Sequence, residues 1–348
     1  MAIVPAATSD LIEELVQPIM RAAVDHLDGA EPLLAGMGRY HLGWVDRAFT
    51  PVQNVDQGKR LRPEIALLCC LAAGGRAAQA APLGAAVELL HNFTLVHDDI
   101  QDRSPTRRHR ETVWAIWGES QAINAGDALF AAAHLALFKL RDQRIGAERV
   151  LAIADAFDRM TIEIVAGQVA DLSFESRSNV TPEEYLTMIA GKTAVIVRFA
   201  AHAGARIAGA TEPIAQAFGE FGLALGVGFQ IQDDLLGIWA SEAATGKAAA
   251  DDIRRKKKSL PILLLLERAD SNDRAMIDQS YRAPEVDAAG IEKMLALLAK
   301  YEIRPAVEAQ VRANHDGAVA ALLRAAPDDS PARAELLRRV QILASRSK

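Results

Sequence analysis

The 348 residues are enough to bury a large core, and length alone admits one large domain or two smaller ones. Half of them are apolar but only 5% are aromatic, so the apolar content is aliphatic and weighted to alanine, which with leucine leads the helix formers. The net charge of −6, from 45 acidic and 39 basic residues, excludes a general attraction to nucleic acid or to an anionic membrane. Cys69 and Cys70 are neighbours in the apolar run LLCCLAAGG, which makes them core residues and not a disulfide framework or a zinc site. Two such thiols fit a reducing cytoplasm. The start, MAIVPAATSD, has no basic region ahead of an apolar run and does not read as a signal peptide. Apolar stretches such as LPILLLLERAD meet charge well short of the roughly 18 residues a span needs, so no stable membrane insertion is expected.

In chain order, residues 8–28 predict an amphipathic helix despite Pro18, followed by a looser stretch with Gly29, Pro32, Gly36 and Gly38 that leads to YHLGW. Arg62-Pro63 opens a helix that Gly74-Gly75 ends near Ala73, because proline suits a first helical turn. Pro82 starts another, carrying Leu89, Leu90, Phe93 and Val96 at helical spacing towards Asp98, until Ser104-Pro105 breaks it. Further helical patterns cover about 119–140, 147–173, 182–208, 211–238, 259–269, 286–299, 304–325 and 332–345. Thr181-Pro182-Glu183-Glu184 has the form of a capped start. No run of alternating strand residues and no Pro/Gly/Ser-rich linker interrupts the series. The expectation is an all-α fold forming a single domain over residues 1–348.

Two acidic clusters stand out. In HDDIQD, Asp98 and Asp102 fall one helical turn apart, about 6 Å along the axis, with Asp99 beside them. Carboxylates this close repel unless a cation compensates, and magnesium takes hard oxygen ligands while bridging to phosphate. A solvated acidic helix end is the plainer reading of this motif alone. QIQDDLLG places Asp233 and Asp234 after a run in which Gly219, Gly222, Gly226 and Gly228 would weaken an isolated helix. Those glycines make most sense where another helix or a ligand approaches closely.

Cations border both clusters: Arg107, Arg108 and Arg110 after the first, Lys247 and RRKKK (254–258) after the second, and Lys59, Arg60 and Arg62 in GKRLR, where Gly58 leaves room for a phosphate at the backbone. His91 lies two turns before Asp98, Lys192 sits in an otherwise apolar helix, and Gln168 and Asp171 are one turn apart. A nucleic-acid groove would use the cations with stacking aromatics and without acidic clusters, so no nucleic-acid partner is expected. GxxxxGK[ST], HExxH and GxSxG are all missing. The constellation suits a diphosphate on an apolar tail.

At this point the chain closely resembles the trans-prenyl diphosphate synthase family, through GKRLRP (58–63), ELLHNFTLVHDDIQD (88–102), RR (107–108), GQVADL (167–172), GKTA (191–194), FQIQDD (229–234) and GKAAADDIRRKKKSLP (246–261), over roughly residues 40–300. The resemblance implies a single helical fold, a cytoplasmic homodimer, and three magnesium ions with the diphosphate bound. By it, Asp98 and Asp102, assisted by Asp99, hold two ions, and Asp233, supported by Asp234, holds the third. Arg107, Lys192, Gln230, Lys247 and Lys257 surround the allylic diphosphate. Lys59, Arg62, His91 and Arg108 bind isopentenyl diphosphate, and Thr193 and Gln168 lie near the reacting carbons. The implied reaction ionises the allylic diphosphate and couples the cation to isopentenyl diphosphate.

Two departures stand against that pattern. Gly237 occupies the place of a usual third aspartate, which weakens the expected metal support. His109 and Glu111 stand where glycine and proline are usual, with no functional account. Phe93, five residues before Asp98, and the small Thr94 beside it set the expected floor for product length at geranylgeranyl diphosphate (C20), with farnesyl or C25 diphosphate as alternatives. A terpene cyclase shares the magnesium–diphosphate logic but has no use for Lys59, Arg62, His91 and Arg108, and the cyclase NDxxSxxxE motif is missing here. A noncatalytic partner subunit would have Gly237 as its one support.

Overall fold

A computed structural model describes residues 8–53, 55–56, 58, 60–177, 179–240, 250–282 and 286–344. The first helical stretch runs through α1 (Thr8–Leu11), a π-turn (Ile12–Val16), α2 (Gln17–Asp25) and a 3₁₀ turn (His26–Gly29). α3 (Pro32–His41) follows, then α4 (Leu61–Ala72), α5 (Ala77–Gln101), the strands β1 (Thr106–Arg107) and β2 (Arg110–Glu111), and α6 (Val113–Trp117). The chain continues with α7 (Glu119–Leu137), α8 (Ala147–Ser176), α9 (Pro182–Ile189), α10 (Val195–Ala208) and α11 (Glu212–Trp239). It ends with α12 (Asp251–Arg254), α13 (Leu260–Arg268), α14 (Ser271–Arg282), α15 (Ala288–Lys300), α16 (Ile303–Ala325) and α17 (Pro331–Ala344). The fold is all-α, as the apolar periodicity predicts.

Several boundaries differ from the sequence reading. The stretch with Pro32, Gly36 and Gly38 is a helix: Glu31 caps it by accepting from Leu33 N–H, and Phe49 packs where a Gly36 side chain would be. Pro82 lies inside α5, not at its start, because the first turn is capped by Gln79 accepting from Arg76 N–H. α14 is amphipathic but so polar overall that its few apolar residues, Ile277 among them, do not announce it. Between α9 and α10, residues Ala190–Ala194 form a π-turn that carries Lys192 and Thr193, a departure from regular winding found often at functional sites.

The helices group into two compact units. One comprises 1–157, 200–215 and 328–333; the other comprises 158–199, 216–327 and 334–348. In the first, α5 packs along α4 and α7 around Leu83, Leu89, Leu90, Leu129 and Leu137, with Cys69 and Cys70 buried as free thiols. In the second, Ile231 and Leu235 of α11 meet Leu260, Ile262 and Leu265 of α13 and Ile303 and Val307 of α16.

Among the described residues, Glu119–Gln143 and Glu212–Trp239 are long and apolar enough to cross a membrane by length and composition, with 44% and 50% of their apolar windows buried inside the protein. No such stretch is expected from the sequence, since the aliphatic runs are short; alanine and glycine lengthen these two helices. Core helices pass the same test.

The two-residue strands pair Thr106 with Glu111 and Arg107 with Arg110, too short to show any alternation in sequence. Arg108 and His109 connect them with φ of 51° and 61°, the two left-handed positions of a type I′ turn. This gives the departure at His109 a backbone meaning, since glycine enters that conformation without the Cβ clash that an L side chain suffers. Replacing His109 by glycine is expected to stabilise the protein by about 0.5–1 kcal/mol, read as a higher urea midpoint at unchanged m-value.

Candidate active site

In the first unit, α5 ends in a Schellman motif: Ser104 N–H donates to Asp99 O at 3.0 Å and Arg103 N–H to Ile100 O at 3.2 Å, with Arg103 left-handed at φ 52°. The stop leaves Asp102 as the capping residue, one turn beyond Asp98. Asp102 is exposed and Asp98 half-buried, whereas Asp99 turns inward and is only 2% exposed. Both Nε and Nη2 of Arg107 lie 2.8 Å from Asp99 Oδ1. Burial pushes the Asp99 carboxyl up to about 6 against the pull of that guanidinium.

Behind this helix end lies a small cleft lined by His41, Asp99, Arg107, Arg108 and Arg110 among others. The left-handed Arg108 lays its guanidinium against Gly58, where a Cβ would come within 2.7 Å of Nη2. Gly58 itself has φ of +82°, a conformation that favours glycine, and its neighbour is an arginine at the place where the sequence leaves room for a phosphate. Arg110 is spent on structure: it donates to Tyr40 O at 3.0 Å and Val45 O at 2.8 Å.

Burial, with Arg62, Arg108 and Arg107 nearby, holds His91 well below the usual histidine range, and burial beside Arg107 and Arg108 lowers His41 to about 3. Both imidazoles are thus neutral at pH 7, and can donate to an anion without adding charge to a site already rich in arginine. His41 and Glu88 were missed in the sequence. Glu88 lies 5% exposed, one turn before His91, and its carboxylate offsets Arg62 and Arg108 while burial raises its pKa. Its spacing to His91 was the available signal, but a lone glutamate in ELLHN gives no reason to place it inside.

In the second unit, the glycines of α11 admit a neighbouring segment, as expected. A Cβ on Gly222 would lie 2.5 Å from Val197 O, and one on Gly226 would lie 2.7 Å from Ala194 Cα. α8 approaches the same π-turn so closely that a Cβ on Gly167 would lie 2.4 Å from Lys192 N. These approaches bring Lys192 and half-buried Thr193 beside Gln168, and Lys192 Nζ pairs with Asp171 Oδ2 at 2.5 Å.

Asp233 is exposed on α11, and Asp234 is fully buried. Asp234 accepts from Tyr185 Oη at 2.5 Å, Leu260 N–H at 3.3 Å, Gln230 Nε2 at 3.3 Å and Lys257 Nζ at 3.4 Å. It therefore ties α9, α11 and the start of α13 together. Desolvation opposes charge on Lys257, but Asp234 and Asp252 outweigh it and raise its pKa. The rest of RRKKK serves other ends: Lys258 donates to Phe174 O at 2.6 Å and Glu175 O at 3.2 Å, closing the end of α8. Lys59 and Lys247 lie outside the described residues.

Phe93 packs its ring 4.9 Å from His97 and 5.3 Å from Phe130 of α7. The row continues from Phe130 to His134 at 4.7 Å and from His134 to Phe157 at 5.1 Å. Thr94 turns its hydroxyl back to His91 O at 2.8 Å.

No three His, Cys, Asp or Glu side chains among the described residues converge on a ready-made metal cage. The donor set fits magnesium nonetheless: one or two hard carboxylate ligands per cluster suit an ion that fills its octahedron with water and phosphate oxygens.

Residues 45–298 match the family described as polyprenyl synthetase. The chain is 43% identical over 252 residues to a (2E,6E)-farnesyl diphosphate synthase of Mycobacterium tuberculosis, covering 72% of this chain and 68% of that protein. It is 37% identical over 284 residues to a geranylgeranyl diphosphate synthase of the same organism, covering 81% and 78%. The solved geranylgeranyl pyrophosphate synthase from Corynebacterium glutamicum, complexed with isoprenyl diphosphate and magnesium, aligns with a TM-score of 0.80 at 26% identity over 98% of this chain and all of that one. The chain belongs to the polyprenyl synthetase family and is a prenyltransferase.

Two outcomes follow from the buried charges. Replacing Asp234 by alanine strands Tyr185, Lys257 and the start of α13, and is expected to cost about 3–5 kcal/mol in urea denaturation. The low folded pKa of His41 stabilises the protein fully above pH 6.5, where the unfolded chain is also neutral. That contribution is lost as pH falls from 6.5 towards 3, because only the unfolded state takes up the proton. A His41→Gln variant should show a flatter fall of urea midpoint over that window than the unsubstituted protein.

Proposed function

We propose that this enzyme condenses allylic diphosphates with isopentenyl diphosphate, head to tail and with trans double bonds, to give geranylgeranyl diphosphate. The observation that carries the reading is the cleft lined by His41, Asp99, Arg107 and Arg108, with His91 and Arg62 within electrostatic reach of Arg108. A cyclase, which binds one diphosphate, has no need of it.

In this reading Asp98, Asp102 and Asp233 hold the magnesium ions, three in all, with Asp99 and Asp234 as inward supports. Arg107, Lys192, Gln230, Lys247 and Lys257 hold the allylic diphosphate, while Lys59, Arg62, His91 and Arg108 hold that of isopentenyl diphosphate. Bound magnesium supplies charge stabilisation for the leaving pyrophosphate. The lysines and Arg107 stabilise the same developing charge, so that the allylic C–O bond breaks and leaves an allylic cation. The isopentenyl double bond attacks that cation, and pyrophosphate takes the proton released as the new double bond forms. Gln168 and Thr193 line the reacting carbons, and aliphatic walls keep out the water that would quench the cation.

The whole chain works as one catalytic domain in this reading, in the cytoplasm and as a homodimer. Exposed Ile123, Leu135 and Phe138 on and just after α7, and exposed Ile162, Val165 and Val169 on α8, support an apolar contact with a second copy. The deciding assay incubates the protein with dimethylallyl, geranyl or farnesyl diphosphate, with and without isopentenyl diphosphate and magnesium. Longer prenyl diphosphates that require both additions are expected. Cyclic hydrocarbons formed without isopentenyl diphosphate would mean a cyclase, and no turnover by the purified homomer would mean a partner subunit.

The ring contacts from Phe93 to Phe130 and from Phe130 to His134 support a second layer of the floor in this reading. Phe93→Ala should lengthen the products, and Phe93→Ala with Phe130→Ala should lengthen them further. Unchanged product lengths on chromatography would remove Phe93 from that role.

A further inference from the structure

Phe49 stands in a left-handed backbone conformation, with φ of 63°, where an L side chain suffers a clash that glycine escapes. It sits in the 43–51 loop between α3 and α4 and is 37% exposed, so burial alone does not hold its ring there. The loop's own hydrogen bonds do not need the ring either. Asp46 Oδ1 accepts from Ala48 N–H at 2.8 Å and Thr50 N–H at 2.9 Å, and Phe49 N–H donates to Asp46 O at 3.0 Å. A side chain kept on so unfavourable a backbone needs surroundings that fix it.

Those surroundings are contacts of the ring. It stacks on Trp117 of α6, with centroids 5.8 Å apart and planes at 16°. It also fills a slot on α3, where a Cβ on Gly36 would lie 2.7 Å from its Cε1 and Cζ. Trp117 in turn meets Tyr40 edge-on at 5.1 Å, and the Arg110 guanidinium lies 4.0 Å from the Tyr40 ring centroid. Tyr40 Oη donates to Glu111 O at 2.9 Å. A row of Phe49, Trp117, Tyr40 and Arg110 thus runs from the loop to β2, and Arg110 pairs across the hairpin with Arg107. Tyr40, Arg110 and Glu111 line the same cleft as His41, Arg107 and Arg108. Aromatic and cation–π contacts have preferred geometries, so each member of the row restricts the next.

Resting on the reading of that cleft as the isopentenyl diphosphate pocket, we propose that Phe49 is a positioning residue for this substrate. Its ring, held against Trp117 and Gly36, acts through Tyr40 and Arg110 on the hairpin that presents Arg108. The two substrates feel a shift of that hairpin unequally. The allylic diphosphate keeps its magnesium ions and lysines, whereas that of isopentenyl diphosphate depends on the cationic pocket to which Arg108 belongs.

Steady-state kinetics with farnesyl diphosphate, isopentenyl diphosphate and magnesium test this, together with calorimetric binding of isopentenyl diphosphate alone and the urea midpoint. Phe49→Gly removes the ring and relieves the backbone, so the loop survives and the contacts are what is tested. It should raise KM and Kd for isopentenyl diphosphate about 2- to 10-fold, with kcat, KM for farnesyl diphosphate and the urea midpoint little changed. Gly36→Ala keeps Phe49 but fills its slot, in a helix that alanine favours, and should move the same two constants in the same direction. Trp117→Phe keeps a stacking ring and should stay close to the unsubstituted values. Unaltered isopentenyl diphosphate constants in Phe49→Gly and Gly36→Ala, or equal rises of KM for both substrates, would overturn the proposal while leaving the prenyltransferase reading intact. Failure of the unsubstituted protein to bind isopentenyl diphosphate would overturn the reading of the cleft and the proposal with it.

Discussion

Each aspartate pair is split by one constraint: consecutive side chains of an α-helix point about 100° apart, so when one faces outward its neighbour turns towards the interior, where a buried carboxylate needs a protein cation. Asp99 is taken by Arg107, and Asp234 by Lys257 together with Tyr185, Gln230 and the Leu260 amide. The inward member orders the element that carries it. Asp99 ties the β1 strand to the end of α5, and Asp234 ties α11 to α9 and α13. Asp102 and Asp233 are exposed and Asp98 is half-buried on helices whose positions are fixed in this way. Preorganisation of this kind matters because a loose carboxylate would spend ligand binding on its own ordering.

The arginine pocket obeys the complementary constraint. Arg62, Arg107 and Arg108 are forced close together, and the protein limits their repulsion with Glu88 and Asp99 while keeping His41 and His91 neutral. An anion entering this pocket meets fixed guanidinium charge and neutral imidazole donors, with the repulsion between cations already offset. Glu88, Asp56 and Asp99 offset Arg108, and Asp99 also pairs with Arg107.

Much of the fold was legible because helix periodicity is a local property. The runs from 119, 147, 182, 211 and 304 emerge as helices close to where their apolar spacing places them, and the close approaches at Gly222 and Gly226 match the expectation drawn from the glycines. What could not be read turned on short-range signals too weak to stand out. The helix at 32–41 is capped by Glu31 and the start of α5 by Gln79, neither a preferred N-cap residue, and the turn at Arg108-His109 has no glycine or asparagine to announce it. The site shows the same division. Motif spacing finds both aspartate pairs, but not which member turns inward, nor that Arg110 and Lys258 are spent on backbone carbonyls while their neighbours face the clusters.

Gly237 shows how much of a helix position is set by what stands beside it. α11 is held against the 190–197 segment through the close approaches at Gly222 and Gly226. At 237 the nearest atoms to a side chain would be those of the Asp252 carboxylate, with Cγ and Oδ2 at 2.6 Å from a built Cβ, so a larger residue there would have to displace it. That carboxylate lies 4.0 Å from Lys257 Nζ, which also stands 3.4 Å from buried Asp234, so the glycine leaves room for one cation to sit near two acidic partners from different helices. An ammonium drawn out of water needs such partners, and neither lies next to it in sequence.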